Sequence, residues 1–215
     1  ISDDNTFGEQ TWEKAESRMM SMALERALSK AHLPPSQLGC ILGGDLLNQC
    51  IGTTFALRPT NVPFLGLYGA CSTMAEGLLV ASCLVESGFE QTACAITSSH
   101  FCSAERQYRY PLEYGGQRPQ TAQWTATASG AVVLQKGGMG VRITHATPGR
   151  IADPGVTSQA NMGAAMALSA YETISRFFQD THTGPSHYDL IVTGDLGKVG
   201  HQIVIDLFQR DGIDM

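Results

Sequence analysis

The 215-residue sequence contains no Cys-x-x-Cys pair, so the usual spacing of a structural zinc site is missing despite six cysteines at positions 40, 50, 71, 83, 94 and 102. It has no apolar run of the roughly 20 residues needed to cross a bilayer, and nothing at its start reads as a signal peptide. Positive charge is scarce. The 14 Lys and Arg against 20 Asp and Glu leave a formal net charge of −6. That argues against a nucleic-acid partner, which needs a concentrated basic excess. Charged residues make up only 16% and hydrophobic ones 43%, a balance too apolar for disorder and ordinary for a soluble globular protein. Several cysteines stand in apolar runs, as in Ala93-Cys94-Ala95-Ile96, where a thiol packs as a small hydrophobe. That usage suits a reducing compartment better than a disulfide scaffold. The sequence opens on Ile1 and closes on Asp214-Met215 just after a helical stretch, so a fragment is expected.

What is present is an alternation of helical and strand patterns, long enough for one substantial core or two joined halves. Residues 12–31 read as an amphipathic helix on Trp12, Ala15, Met19, Ala23, Ala27 and Ala31, with Thr11 as cap and Pro34-Pro35-Ser36 as stop. A short strand is expected at 39–42, a helix running to Ala56, and a strand at 62–67 that ends in Tyr68-Gly69-Ala70-Cys71. The helix expected at 72–87 is apolar nearly all round, which predicts cover on every side, and Gly88 is placed to close it. Further strands are expected at 92–97, 128–135, 141–146 and 190–192, and helices at 162–178 and 198–210. Cys40-Ile41-Leu42-Gly43-Gly44-Asp45 and Leu190-Ile191-Val192-Thr193-Gly194-Asp195 both follow a helix and a short Pro/Ser loop. Their offset, from 45 to 195, is 150 residues, which suggests a duplicated α/β half rather than a solenoid repeat.

Cys71 is the sharpest chemical feature. A cysteine between a buried strand and a buried helix meets the open N–H groups and positive end of that helix, which favour a thiolate and a developing oxyanion. The alternative is a structural cysteine at a crowded turn. An acyltransferase needs a base, usually His. His100 follows a strand end and is the candidate to face a cleft; the joint at 193–197 carries no His. The segment 105–118 concentrates three Arg and three Tyr, including Arg106 and Arg118. Such a segment suits either a bidentate grip on a carboxylate or a subunit interface. Asp153 and Asn161 sit beside Pro and Gly and are turn residues first.

Tyr68-Gly69-Ala70-Cys71-Ser72-Thr73 resembles the active-site turn of the thiolase superfamily, especially ketoacyl synthase III-like proteins. Ser129-Gly130-Ala131-Val132-Val133-Leu134 resembles their strand after the dimer loop. The closer likeness is to the stage V sporulation protein AD family. It rests on Phe7-Gly8-Glu9-Gln10-Thr11-Trp12, Thr97-Ser98-Ser99-His100-Phe101, Pro111-Leu112-Glu113-Tyr114-Gly115-Gly116-Gln117-Arg118-Pro119 and Tyr188-Asp189-Leu190-Ile191-Val192-Thr193-Gly194-Asp195. The resemblance implies a thiolase-like layered α/β fold of two similar halves, the first over 1–135 and an incomplete second over 136–215. It further implies binding of dipicolinic acid, free or as its calcium chelate, for uptake into the developing spore with the other stage V A membrane proteins. A soluble protein at the inner forespore membrane, a homodimer, and no cofactor beyond calcium carried by the ligand follow from the same likeness. The ligand set it suggests is Cys71, His100, Arg106, Arg118, Asp153, Asn161 and Asp195. The superfamily's enzymes carry His with Asn or a second His in the second half, and Thr193-Gly194-Asp195-Leu196-Gly197 offers neither, so a non-catalytic role is expected. The alternatives are an acyltransferase acting through Cys71 and a purely structural subunit of a membrane complex.

Overall fold

The computed structural model describes residues 3–103, 121, 126–138, 140–158 and 160–215. The chain divides into two compact units, one whose described residues fall within 3–103 and 126–143 and one whose described residues are 121 and those within 144–215.

In the first unit, helix α1 (Trp12–Ala31) begins where the Thr11 hydroxyl accepts the Lys14 N–H at 3.3 Å. It ends because His32 adopts a left-handed conformation (φ 53) and turns its N–H back onto Leu28 and Ser29 carbonyls. The expected proline stop comes later, since Pro35 only opens a short 3-10 turn, Pro35–Gln37. Strands β1 (Cys40–Gly44), β2 (Phe64–Gly66), β3 (Thr92–Ser99) and β4 (Ala128–Gln135) form one sheet in the order β2-β1-β3-β4. β1 runs parallel to β2 and β3, and β4 is antiparallel to β3.

Side chains alternate across this sheet with a period of two. Ile41, Cys94 and Ile96 face α1 and α2 (Ile51–Leu57), where they pack with Met20, Leu24, Leu28, Ala56 and Leu57. Cys40, Leu42 and Ala93 face α3 (Thr73–Glu86) and meet Ala81 and Val85. The unit is therefore three layers, helices over sheet over helix, and β1 is buried at all five positions as a doubly covered parallel strand should be. Each fully buried Leu or Ile contributes about 1.5–3 kcal/mol. Ser17 and Ser21 hydroxyls donate to the Gly52 and Ala56 carbonyls and tie α1 to α2.

The expectation that α3 is covered all round is corrected. Only the stripe Thr73, Gly77, Ala81 and Val85 is buried, while Ala75 and Cys83 are not, because the described sheet covers a single face of this helix. Gly88, at φ 78, closes the helix as expected.

The second unit holds α4 (Met162–Thr181) and α5 (Gly197–Arg210) around Ala167, Phe178, Leu196, Val204 and Phe208. A Cβ on Gly200 would come within 2.4 Å of the Gly163 carbonyl oxygen, so the two helices cross where only glycine fits. The strands expected at 141–146 and 190–192 do not form. Both segments are irregular, and Leu190 and Val192 are each 77% exposed. A strand is held by a hydrogen-bonded neighbour; 144–146 and 190–192 lie in a unit with no strand among its described residues, and 141–143, which fall in the first unit, pair with none of its described strands.

The two units nonetheless share a local design at the 150-residue offset. Thr11 and Asn161 cap helices of 20 residues each, His32 and His182 end them in the left-handed conformation, and Pro35–Gln37 and Pro185–His187 follow as 3-10 turns. Asp45 Oδ1 accepts the Leu47 N–H at 2.8 Å, and Asp195 Oδ1 accepts the Gly197 N–H at 3.0 Å.

Candidate functional site

Because β1, β2 and β3 are parallel, their carboxyl ends share one edge of the sheet, the edge where open α/β sheets bind ligands. Asp45 leaves β1 there, residues 67–72 leave β2, and His100–Ser103 leave β3. Strand β2 leads through a tightly bonded turn. The Tyr68 hydroxyl donates to the Leu46 carbonyl at 3.2 Å, the Gly69 N–H donates to Thr73 Oγ1 at 3.1 Å, and Ser72 donates from N–H and hydroxyl to the Gly69 carbonyl. A Cβ on Gly69 would meet Ser72 Oγ at 2.5 Å and Glu76 Oε2 at 2.7 Å, so a larger residue there would have to push both side chains aside. Ala70 has φ 48, a left-handed conformation that costs an ordinary residue about 1–2 kcal/mol. Cys71 sits at the centre of the 3-10 turn Ala70–Ser72 with its side chain exposed. Among the described residues no side chain caps α3; the 3-10 turn runs into it, with the Thr73 N–H donating to the Ala70 carbonyl and the Ser72 N–H to that of Gly69, so what the turn offers an anion is the positive end of the helix.

The other thiols sort themselves by burial, which pushes Cys40 and Cys50 up and Cys94 to about 12. Those three are packing groups. Cys83 is also exposed, on α3 away from the turn, and Cys102 is half-buried.

His100 does not open on a cleft. Its ring is fully buried, Nε2 lies 2.8 Å from the Asn5 carbonyl oxygen, and Nδ1 accepts the Cys102 N–H at 3.0 Å. The Trp12 ring lies against it, with centroids 5.3 Å apart. Beside it is a group that sequence reasoning passed over. Glu16 on α1 is fully buried, with Oε1 accepting the Ser98 hydroxyl at 2.9 Å and Oε2 accepting the Ser103 hydroxyl. Burial raises its affinity for a proton above the ordinary carboxylate range. The two serine hydroxyls oppose that shift, nearby Asp45 adds to it, and His100 offsets it slightly. Ser99, one residue along β3, points to the opposite face and buries its hydroxyl without a partner among the described residues. Glu16 was legible in principle, as the one polar member of the buried stripe Glu16, Met20, Leu24 and Leu28.

In the second unit each expected ligand residue has a local task. Asp153 accepts the Gly155 N–H at 2.8 Å in a turn, Asn161 caps α4 at the Ala164 N–H, and Asp195 braces the start of α5. Arg106 and Arg118, with the rest of their Arg/Tyr-rich segment, lie outside the described residues. An apolar cleft of about 240 Å³ lies between α4 and the 188–191 segment, lined by Ile174, Phe177, Phe178, Tyr188 and Leu190. Among the described residues no three His, Cys, Asp or Glu side chains gather to hold a metal ion, and no helix is long and apolar enough to cross a membrane.

A layered sheet with a cysteine at the strand-to-helix turn on its carboxyl edge is the frame of thiolase-like proteins, and solved structures agree. The chain is similar to 3-oxoacyl-[acyl-carrier-protein] synthase III from Aquifex aeolicus VF5 (TM-score 0.63, 17% identity, 95% of this chain and 67% of that one). It is also similar to a variant of Xanthomonas campestris OleA bound with cerulenin (TM-score 0.67, 14% identity, 93% of this chain and 63% of that one). At such identities the likeness is one of fold. The family is closer: a model described as Stage V sporulation protein AD matches residues 1–215. The stage V sporulation protein AD of Bacillus subtilis (strain 168) is 46% identical over 210 residues, which are 98% of this chain and 62% of that protein. The chain belongs to the stage V sporulation protein AD family and spans 62% of the length of this relative.

Proposed function

We propose that this chain serves sporulation as a binding protein for dipicolinic acid, free or as its calcium chelate, in the step that takes the compound into the developing spore. The observation that carries this reading is the state of the sheet's carboxyl edge. Cys71 is exposed at an uncapped helix start, while His100, the imidazole at that edge, has both ring nitrogens committed to backbone partners. An anion is welcome there, and the imidazole is not free to act as a base for the thiol. Arg106 and Arg118 supply the cationic partners a dicarboxylate needs. The negative charge of Asp153 and Asp195, the acidic members of the expected ligand set, favours the calcium chelate over the free dianion. The other stage V A membrane proteins are the proposed partners at the inner forespore membrane, and a homodimer is the proposed state, which light scattering reads directly.

Isothermal calorimetry with dipicolinate, with and without calcium, tests the binding. Saturable heat that falls on Cys71→Trp supports it, and no heat under either condition ends it. The exposed thiol favours one second reading, acyl transfer through Cys71. Incubation with an acyl-coenzyme A followed by intact-mass measurement decides it, since an adduct present in the wild type and absent in Cys71→Ala would establish that reading.

A further inference from the structure

The first unit buries a carboxyl group that its fold does not require. Position 16 of the first unit corresponds to position 166 of the second at the 150-residue offset, and there the same place on the same 20-residue helix is Met166, packed against an apolar core. A helix of this design therefore accepts a hydrophobe at that position. Burying an ionisable group is costly unless its bonds offset the lost hydration, so what Glu16 does lies in its partners.

Its bonds show what is gained. The two carboxyl oxygens each take one serine hydroxyl, Ser98 from the end of β3 and Ser103 from beyond it. The intervening turn is closed by the Ser103 N–H on the His100 carbonyl and by the Cys102 N–H on His100 Nδ1. Since Nδ1 accepts an N–H, the imidazole carries its proton on Nε2, which donates it to the Asn5 carbonyl. One carboxylate thus ties α1 to both sides of the turn, and His100 within that turn holds the segment before α1.

We propose that Glu16 is a positioning residue of the site, fixing through Ser98 and Ser103 the turn at 100–103 by which the chain leaves β3 at the sheet's carboxyl edge, the edge that also carries the Cys71 turn. The inference deepens the binding reading and rests on it only for its effect on ligand affinity. Its pH dependence follows from the groups around it. Asp45 from the β1 joint and His100 from the turn are the charged or titratable neighbours acting on Glu16, β3 adds only the buried Cys94 thiol, and α2 and β4 carry no ionisable side chain. The folded state holds the Glu16 proton more tightly than the unfolded chain does. Stability therefore falls as pH rises from the ordinary carboxylate range through the Glu16 titration, and is recovered on acidification.

The test uses Glu16→Gln, which keeps the shape and loses the charge, and Glu16→Met, which copies position 166. Hydrogen exchange of residues 98–103 is compared with that of β1 at one pH, and thermal unfolding is followed across pH. The expected result is a cooperative fold in both variants, with exchange at 98–103 at least ~10-fold faster in Glu16→Met, β1 unchanged, and the pH slope flattened in Glu16→Gln. Unchanged exchange at 98–103 in a folded Glu16→Met, or a wild-type pH slope in Glu16→Gln, overturns the proposal. Should Glu16→Met not fold, the slope of Glu16→Gln decides. Dipicolinate affinity is measured alongside and should weaken in Glu16→Met. Absence of heat in the wild type would end the binding reading, while the exchange and pH data still decide the role of Glu16.

Discussion

Residues 40–44 and 190–194 occupy the same place after the same sequence of cap, 20-residue helix, left-handed histidine and 3-10 turn. The first is a strand buried at every position between β2 and β3, and the second is irregular, with Leu190 and Val192 largely exposed. Caps and left-handed ends are satisfied by atoms within a few residues, so they form in both units. A buried strand's donors and acceptors need neighbouring strands distant in sequence, and in the first unit β2 and β3 supply one on each side. Local chemistry repeats; partnership does not.

The sharpest way to break that comparison is to cut equivalent side chains. Leu42→Ala should cost about 2–5 kcal/mol in urea unfolding, as for other fully buried leucines, whereas Val192→Ala should stay within ~0.5 kcal/mol. Equal costs would mean that the 190–194 segment is packed after all. The caps should behave alike instead. Thr11→Ala and Asn161→Ala are each expected to cost about 1 kcal/mol, read as faster hydrogen exchange in the first turns of α1 and α4. The smallest effect is expected at the helix ends, where His32→Gly and His182→Gly should each stabilise by up to about 1 kcal/mol in thermal unfolding, because glycine adopts the left-handed conformation without strain. A large difference between the two histidines would show that surroundings beyond the local turn govern them.

Much of this was legible from spacing. Helix α1 and strand β4 fall on the residues their patterns indicate, Thr11 caps, and Gly88 closes α3. The turn that presents Cys71 is equally local, since it rests on Gly69, Ser72 and Thr73 bonding to one another. The failures have one physical root. Val141 and Leu190 have strand propensity, but propensity carries no information about whether a neighbouring strand exists. The exposed side of α3 repeats the point for a helix: its composition asks for cover that the described sheet provides on one face. Glu16 was missed for a different reason. It stands between Glu13, Ser17 and Arg18, where a charge reads as solvated, and only its place in a buried stripe sets it apart.

The irregular 190–194 segment also bears on how the polypeptide behaves in a test tube. A run of Leu, Ile, Val and Thr that joins no sheet among the described residues is the kind of seam along which separate molecules zip together, and it is an easy target for a protease. Concentration should promote association, and early nicks should cluster there rather than in β1. A single lysine at Val192 is the natural gatekeeper against both crowding and fibre-like stacking.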